Sequence, residues 1–153
     1  MAESDGVAAG EPESKGTCRE LRELPPRLRD MIEPRDPAIR VTAMPADANA
    51  YGDIFGGWLM SIMDSACGLT AARYSKGRAV TIAVDGMTFH KPVKIGDVVS
   101  VYAEVISTGR SSMKIDVSAW RRIRAGEETD RVTHAVFTFV AVGDDGRPRV
   151  IEI

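Results

Sequence analysis

Hydrophobic and polar residues follow two different periods along this chain, and the change between them predicts its elements. Ile39, Val41 and Ala43 alternate with Arg40 and Thr42, the two-residue period of a short strand, stopped near Pro45. A polar loop, ADANAYGD, leads into residues 54–72, IFGGWLMSIMDSACGLTAA, which are apolar almost throughout and predict a helix from about Gly57 to Arg73. After Ser75-Lys76-Gly77 every segment reads as strand. Ala79 to Phe89 is apolar and β-branched, bounded by Pro92. Val99, Val101, Ala103 and Val105 alternate with Ser100, Tyr102 and Glu104, and Thr108-Gly109-Arg110 predicts a tight hairpin. Met113, Ile115, Val117 and Ala119 then alternate with Lys114, Asp116, Ser118 and Trp120, and Val132 to Val142 follows the charged loop RAGEETD.

The apolar segment at ~1.5 Å per residue would nearly cross a hydrocarbon core. It carries one carboxylate, Asp64, near its middle, and glycines at 56, 57 and 68, which fit a soluble helix better. The expectation is a helix buried on nearly all sides, with Asp64 inside it for a reason, because a buried Asp needs a partner. The order strand, helix, four long strands with hairpin connections gives an α+β protein: an antiparallel sheet wrapped around one long central helix, the hotdog architecture. One sheet face is too small to cover so apolar a helix, so a second subunit is expected to cover the rest.

Composition narrows the function. At 153 residues, 44% hydrophobic and 27% charged, the chain makes one domain with a real core. A net charge of −2 argues against a general nucleic-acid binder. Two cysteines, Cys18 and Cys67, and two histidines, His90 and His134, make neither a disulfide framework nor a metal motif, so no metal is expected. Residues 1–16 are acidic, small and Gly/Ser-rich and are expected to be disordered; they have neither the basic nor the apolar region of a secretory signal, so the cytoplasm is the expected location. Pro25-Pro26 allow only a short helical turn on either side. The division expected is a flexible extension over residues 1–36 and a folded domain over residues 37–153.

The runs MPADANAYGDIFGGWLMSIMD, VTIAVDGMTFHKPVKIGD, TGRSS and AVFTFVAV, in that order over about residues 38–147, resemble the acyl-CoA thioesterases of the hotdog superfamily, and among them the bacterial YciA-type acyl-CoA hydrolases. The resemblance implies hydrolysis of acyl-CoA to free acid and CoA, without a cofactor, at sites between paired subunits, in a homodimer that assembles to a trimer of dimers. It implies that Asp64 acts as general base or nucleophile, that Gly56 and Gly57 offer backbone N–H groups to the thioester carbonyl, and that Asn49 lines the site. No membrane and no nucleic-acid partner is implied.

The residues carry chemistry of their own beside simpler roles. A carboxylate in an apolar pocket can activate water, or attack the acyl carbon to form an anhydride; the simpler role of Asp64 is a structural hydrogen bond. Glycines at a helix start let an acyl group reach bare N–H groups where a developing oxyanion is stabilised, or merely allow close packing. Gly56 and Asp64 are eight residues apart, about 12 Å along one helix, too far to share one carbonyl, so the donor and the Asp of each site are expected from different subunits. Asn49 is either a carbonyl- or water-positioning amide or a turn former. Arg110, Ser111 and Ser112 in their hairpin, with Lys91 nearby, offer a guanidinium, hydroxyls and an ammonium to CoA phosphates, though exposed hairpins often look so. Asp53 reads as a loop or N-cap residue, Arg121, Arg122 and Arg124 as a solvated strand end, and Trp58, Met60 and Met63 as core or acyl-tunnel lining. Asp47-Ala-Asn49 with Gly52 resembles the D-x-N-x-x-H signature of hotdog enoyl-CoA hydratases with glycine in place of the histidine, which disfavours hydration. A non-catalytic acyl-CoA-binding module is the rival from another class, and the retained Asp64 argues against it.

Overall fold

The computed structural model describes residues 16–25 and 31–152. A short helix α1 (Cys18–Arg22) precedes β1 (Ile39–Thr42), a turn of 3₁₀ helix (Pro45–Asp47) and the long helix α2 (Gly56–Ser75). Then come β2 (Ala79–Val84), β3 (Thr88–Phe89), β4 (Val98–Thr108), β5 (Ser112–Arg122) and β6 (Thr129–Ala141). The strands form one six-stranded antiparallel sheet in the order β1-β4-β5-β6-β2, with β3 lying beyond β2 along the same edge of β6. The alternation sends Val101, Met113, Ile115, Val117, Phe137 and Phe139 to one face, where they pack with Leu59, Met63, Ala66, Cys67 and Ala71 of α2.

One expectation is corrected here. The single strand foreseen over Ala79–Phe89 is interrupted at Asp85–Met87, and its register against β6 shifts between Thr81 and Ala83. Asp and Gly disfavour regular strand, and the segment runs along an edge where nothing on its far side holds it straight. Helix α2 is covered on one side within one chain, which leaves the rest for the second subunit expected from its sequence. One curved sheet buries one side, leaving Met60, Leu69 and Tyr74 exposed, Leu69 by 59%. No helix among the described residues is long and apolar enough to cross a membrane.

The two ends of α2 are built differently. At its start Phe55 is the N-cap and offers no side-chain hydrogen bond, so the first N–H groups lack an intrahelical acceptor. At its end Lys76 turns left-handed (φ 55°), and the Arg149 guanidinium donates to the Ser75 carbonyl at 2.9 Å and to its hydroxyl at 3.0 Å. A Cβ on Gly77 would stand 2.6 Å from an Arg149 Nη atom, so a side chain there would push this guanidinium aside.

The other sheet face carries part of the extension. Leu21 is buried, Arg22 pairs with Glu104 at 2.9 Å, and Tyr102 donates a buried 2.7 Å hydrogen bond to Glu33. Leu21, Arg22 and Glu33, foreseen as part of a flexible lead-in, thus lie against β4; residues 1–15, and the helical turn foreseen just after Pro26, lie outside the described residues.

Candidate active site

Asp64 sits in the third turn of α2, half-buried rather than enclosed, on the side that looks toward β2. Its Oδ1 accepts a 2.5 Å hydrogen bond from the Thr81 hydroxyl, which sequence reasoning missed. The available signal was that the strand after the helix must pass its apolar face, so a lone hydroxyl among Ala79, Val80, Ile82 and Ala83 was a candidate partner for the one helix carboxylate. Thr81 stands opposite Phe139, and Phe139 opposite Met113, which fixes the level of Asp64 on the sheet.

Gly56 and Gly57 lie at another level. Both are exposed, and a Cβ on Gly57 would meet nothing within 4 Å. A Cβ on Gly56 would touch the Phe89 ring at 3.4 Å, and Phe89 stands opposite Thr133. Phe139 and Thr133 are six residues apart on β6, about 20 Å at ~3.3 Å per residue. Within one chain the glycines and the carboxylate are therefore not brought together.

The remaining candidates divide between the same two levels. Arg110, Ser111 and Ser112 are at the Asp64 end; the hairpin is held by Gly109 N–H to Ser112 O (2.9 Å), Ala141 N–H to Ser111 O (2.8 Å) and Ile151 N–H to Arg110 O (2.9 Å). These bonds use the backbone and leave the Arg110 side chain outward and exposed. Lys91 is at the Gly56 end, at the rim of a 240 Å³ cavity that also borders Gly56. Asn49 organises its own loop: its side-chain oxygen accepts from Tyr51 N–H at 2.9 Å and Asp53 N–H at 3.1 Å, the turn-forming role. That arrangement leaves its amide NH₂ as the group with chemistry to offer. Gly52, where hydratases carry histidine, has φ +81°, a conformation in which a side chain is strained.

Other charged residues find structural partners. Asp53 pairs with Lys94, and His134 with Asp116 on the outer face. Arg121 is more than a solvated strand end: it bridges Asp97 and Asp130, at 3.2 Å each, because the β4–β5 ladder brings it over the Gly96 turn. Both cysteines are free. Burial, with Asp64 and Asp116 nearby, pushes the Cys67 thiol far up, and burial with Glu104 and Asp116 pushes Cys18 up to about 12, so neither is a thiolate nucleophile.

Comparison with known proteins agrees with this architecture. A family model, the thioesterase superfamily, matches residues 51–126. An uncharacterized acyl-CoA thioester hydrolase of Zymomonas mobilis is 54% identical over 113 residues, 74% of this chain and 76% of that protein. The acyl-CoA thioester hydrolase YciA of Escherichia coli K12 is 45% identical over 121 residues, 77% of this chain and 92% of its own. Among solved structures, the hexameric thioesterase y2039 from Yersinia pestis superposes with TM-score 0.74 at 52% identity, over 77% of this chain and 96% of that one. The acyl-CoA hydrolase of Staphylococcus aureus, solved with butyryl-CoA and CoA, superposes with TM-score 0.70 at 31% identity, over 74% of this chain and 69% of that one. Its structures include two alanine mutants, one of an aspartate and one of an asparagine fifteen residues before it. With its curled antiparallel sheet around one long helix, this chain belongs to the hotdog-fold thioesterase superfamily, among the YciA-type acyl-CoA thioester hydrolases.

Proposed function

We propose that this protein hydrolyses acyl-CoA to free acid and CoA at sites shared by two copies of the chain. In each site Asp64 of one subunit is the base, and the Gly56 and Gly57 N–H groups of the other hold the oxyanion. The observation that carries this reading is the pairing of two half-sites with one open edge. Strand β2 is one of the sheet's two edges, exposed along Thr81–Val84, with Ile82 59% exposed. An unpaired apolar edge beside an uncovered helix face calls for a partner.

We place the two-fold axis of an antiparallel pairing of this edge with its own copy at Asp85, midway between Thr81 and Phe89. That axis sets Thr81 beside the partner subunit's Phe89, and so Asp64 beside the partner subunit's Gly56. By the same operation the Ala79 end, next to Ser111, meets the partner subunit's Lys91, so the four CoA candidates Arg110, Ser111, Ser112 and Lys91 gather at one mouth. Asn49 and Asp64 are themselves fifteen residues apart, the separation of the asparagine and aspartate altered in the Staphylococcus aureus enzyme. This supports giving Asn49 an amide role toward water or carbonyl.

The chemistry is then direct. Asp64 takes a proton from water as the oxygen attacks the thioester carbon, and the carbonyl oxygen becomes an oxyanion at the helix start, where N–H groups and the helix dipole stabilise it. The C–S bond breaks as the carbonyl reforms, and the CoA thiolate leaves and is protonated. Neither a metal nor a cofactor has a step to perform. The assembly follows the hexameric relatives, a trimer of such dimers, and the cytoplasm, where acyl-CoA is made, is the location that fits.

Free-thiol release over acyl-CoAs of increasing length tests the reading. Turnover is expected with saturated acyl-CoA. Hydration of crotonyl-CoA without thiol release would make the protein a hydratase, and binding without turnover would make it a carrier or sensor.

A further inference from the structure

Beside the helix start lies a cavity of about 240 Å³ lined by Phe55, Gly56, Leu59, Phe89, Val93 and Val132. Leu59, Val93 and Val132 close its floor and are buried, whereas Phe89 stands 43% exposed over the opening, its ring beside Gly56. Lys91 is the charged residue of the lining, at its rim. We propose that this cavity receives the acyl chain and that Phe89 sets the chain length accepted, medium chains being preferred.

The inference rests on the functional reading above, which places the thioester carbonyl at Gly56 and Gly57. Two arms leave that carbonyl carbon. The pantetheine arm carries two amides and ends in phosphates, and its polar groups would lose water without gaining partners among these hydrocarbon side chains. The acyl arm loses nothing by entering and gains burial, worth about fourfold in affinity per methylene. At ~30 Å³ for each water-sized group, the space holds on the order of eight carbons before the chain meets Phe89 and the floor.

The test is kcat/KM for saturated acyl-CoAs from acetyl to palmitoyl with the wild type, Phe89→Ala and Phe89→Trp, thermal midpoints being taken on the same preparations. The wild type is expected to gain about fourfold per carbon up to the medium range and to fall beyond it. Phe89→Ala should move that break several carbons longer, and Phe89→Trp should move it shorter. Should Phe89→Ala not fold, the Trp variant and Phe89→Leu carry the same comparison. A break that stays in place in every folded variant overturns the proposal, as does a uniform rise in KM at all lengths, which would mean that Phe89 touches the pantetheine arm. If the wild type releases no thiol from any acyl-CoA, the functional reading has failed instead, a result distinct from turnover with an unmoved break.

Discussion

The Thr81 hydroxyl donates to Asp64 Oδ1 across 2.5 Å, joining the sheet's exposed edge strand to the one carboxylate of the long helix. A short bond to a charged acceptor fixes the rotamer of the carboxylate and leaves its second oxygen to take a proton. Thr81→Val keeps the shape and removes the donor. Hydrogen bonds to charged groups are worth enough that kcat should fall roughly ten- to a hundredfold. Thr81→Ser should restore most of it. Equal activity in the Val and Ser variants would reduce the bond to packing.

Asp64→Asn retains size and some hydrogen bonding but removes charge and basicity. With Asp64 as base, kcat should drop by a factor on the order of 10²–10⁴, while acyl-CoA binding and the thermal midpoint hold. Because a half-buried charge is removed, the midpoint is expected to stay level or rise. A folded Asn variant with normal turnover would move the base elsewhere.

Strands β1, β4 and β5 were legible by their clean alternation, and α2 by an apolar run with a Gly-Gly opening. Asp64 stood out because it is the one carboxylate in that run. Thr81 did not, since a threonine in a strand suits β propensity alone, and its role appears only once the helix crosses β2. Which side of α2 the sheet takes was illegible for a related reason: its residues are apolar whether a sheet or a second subunit covers them. The docking of α1 rests on Leu21, Arg22 and Glu33, scattered among charges and prolines with no period to betray a buried side.

Arg110 tests CoA recognition. Its carbonyl, not its side chain, anchors the hairpin to Ile151, so Arg110→Ala should fold normally. KM for acyl-CoA should rise several-fold to tenfold with little change in kcat, and the rise should shrink for pantetheine thioesters lacking the nucleotide. The same loss on both substrates would remove Arg110 from nucleotide binding.

Glu104 gives the outer face a pH dependence. Burial raises its pKa, Asp116 directly opposite on β5 adds to the rise, and Arg22, with Arg19 beyond it, opposes without cancelling. The folded protein therefore holds this proton more tightly than the unfolded chain. The stability so gained is present below the ordinary carboxylate range and is lost as pH rises through the raised value. Glu104→Gln, uncharged throughout, should melt no lower than wild type at pH 7, and any advantage should vanish on acidification. A lower midpoint for the Gln variant at neutral pH would show that the Arg22 pair outweighs burial.

The division of the site between subunits makes the sharpest prediction, because it turns two dead proteins into a live one. Asp64→Asn removes the base. Proline at the helix start removes an oxyanion donor without breaking the helix, since Phe55 already has the extended backbone (ψ 132°) that a following proline requires, and the first turn tolerates proline. Gly56→Pro or Gly57→Pro, whichever carries the main donor, should lose about 10²- to 10³-fold in kcat. In a mixed dimer of the two variants, one site holds both lesions and the other holds neither. Denaturing the two variants together and refolding them should thus recover activity approaching a quarter of wild type, half the dimers being mixed and each carrying one intact site. If Asp64 and the glycines served the same carbonyl within one chain, every site in the mixture would carry one lesion and nothing would be recovered. The edge itself supplies the control: Ile82→Lys with Val84→Lys should leave chains of about 16.6 kDa in sizing experiments, and those should be inactive alone and in mixture.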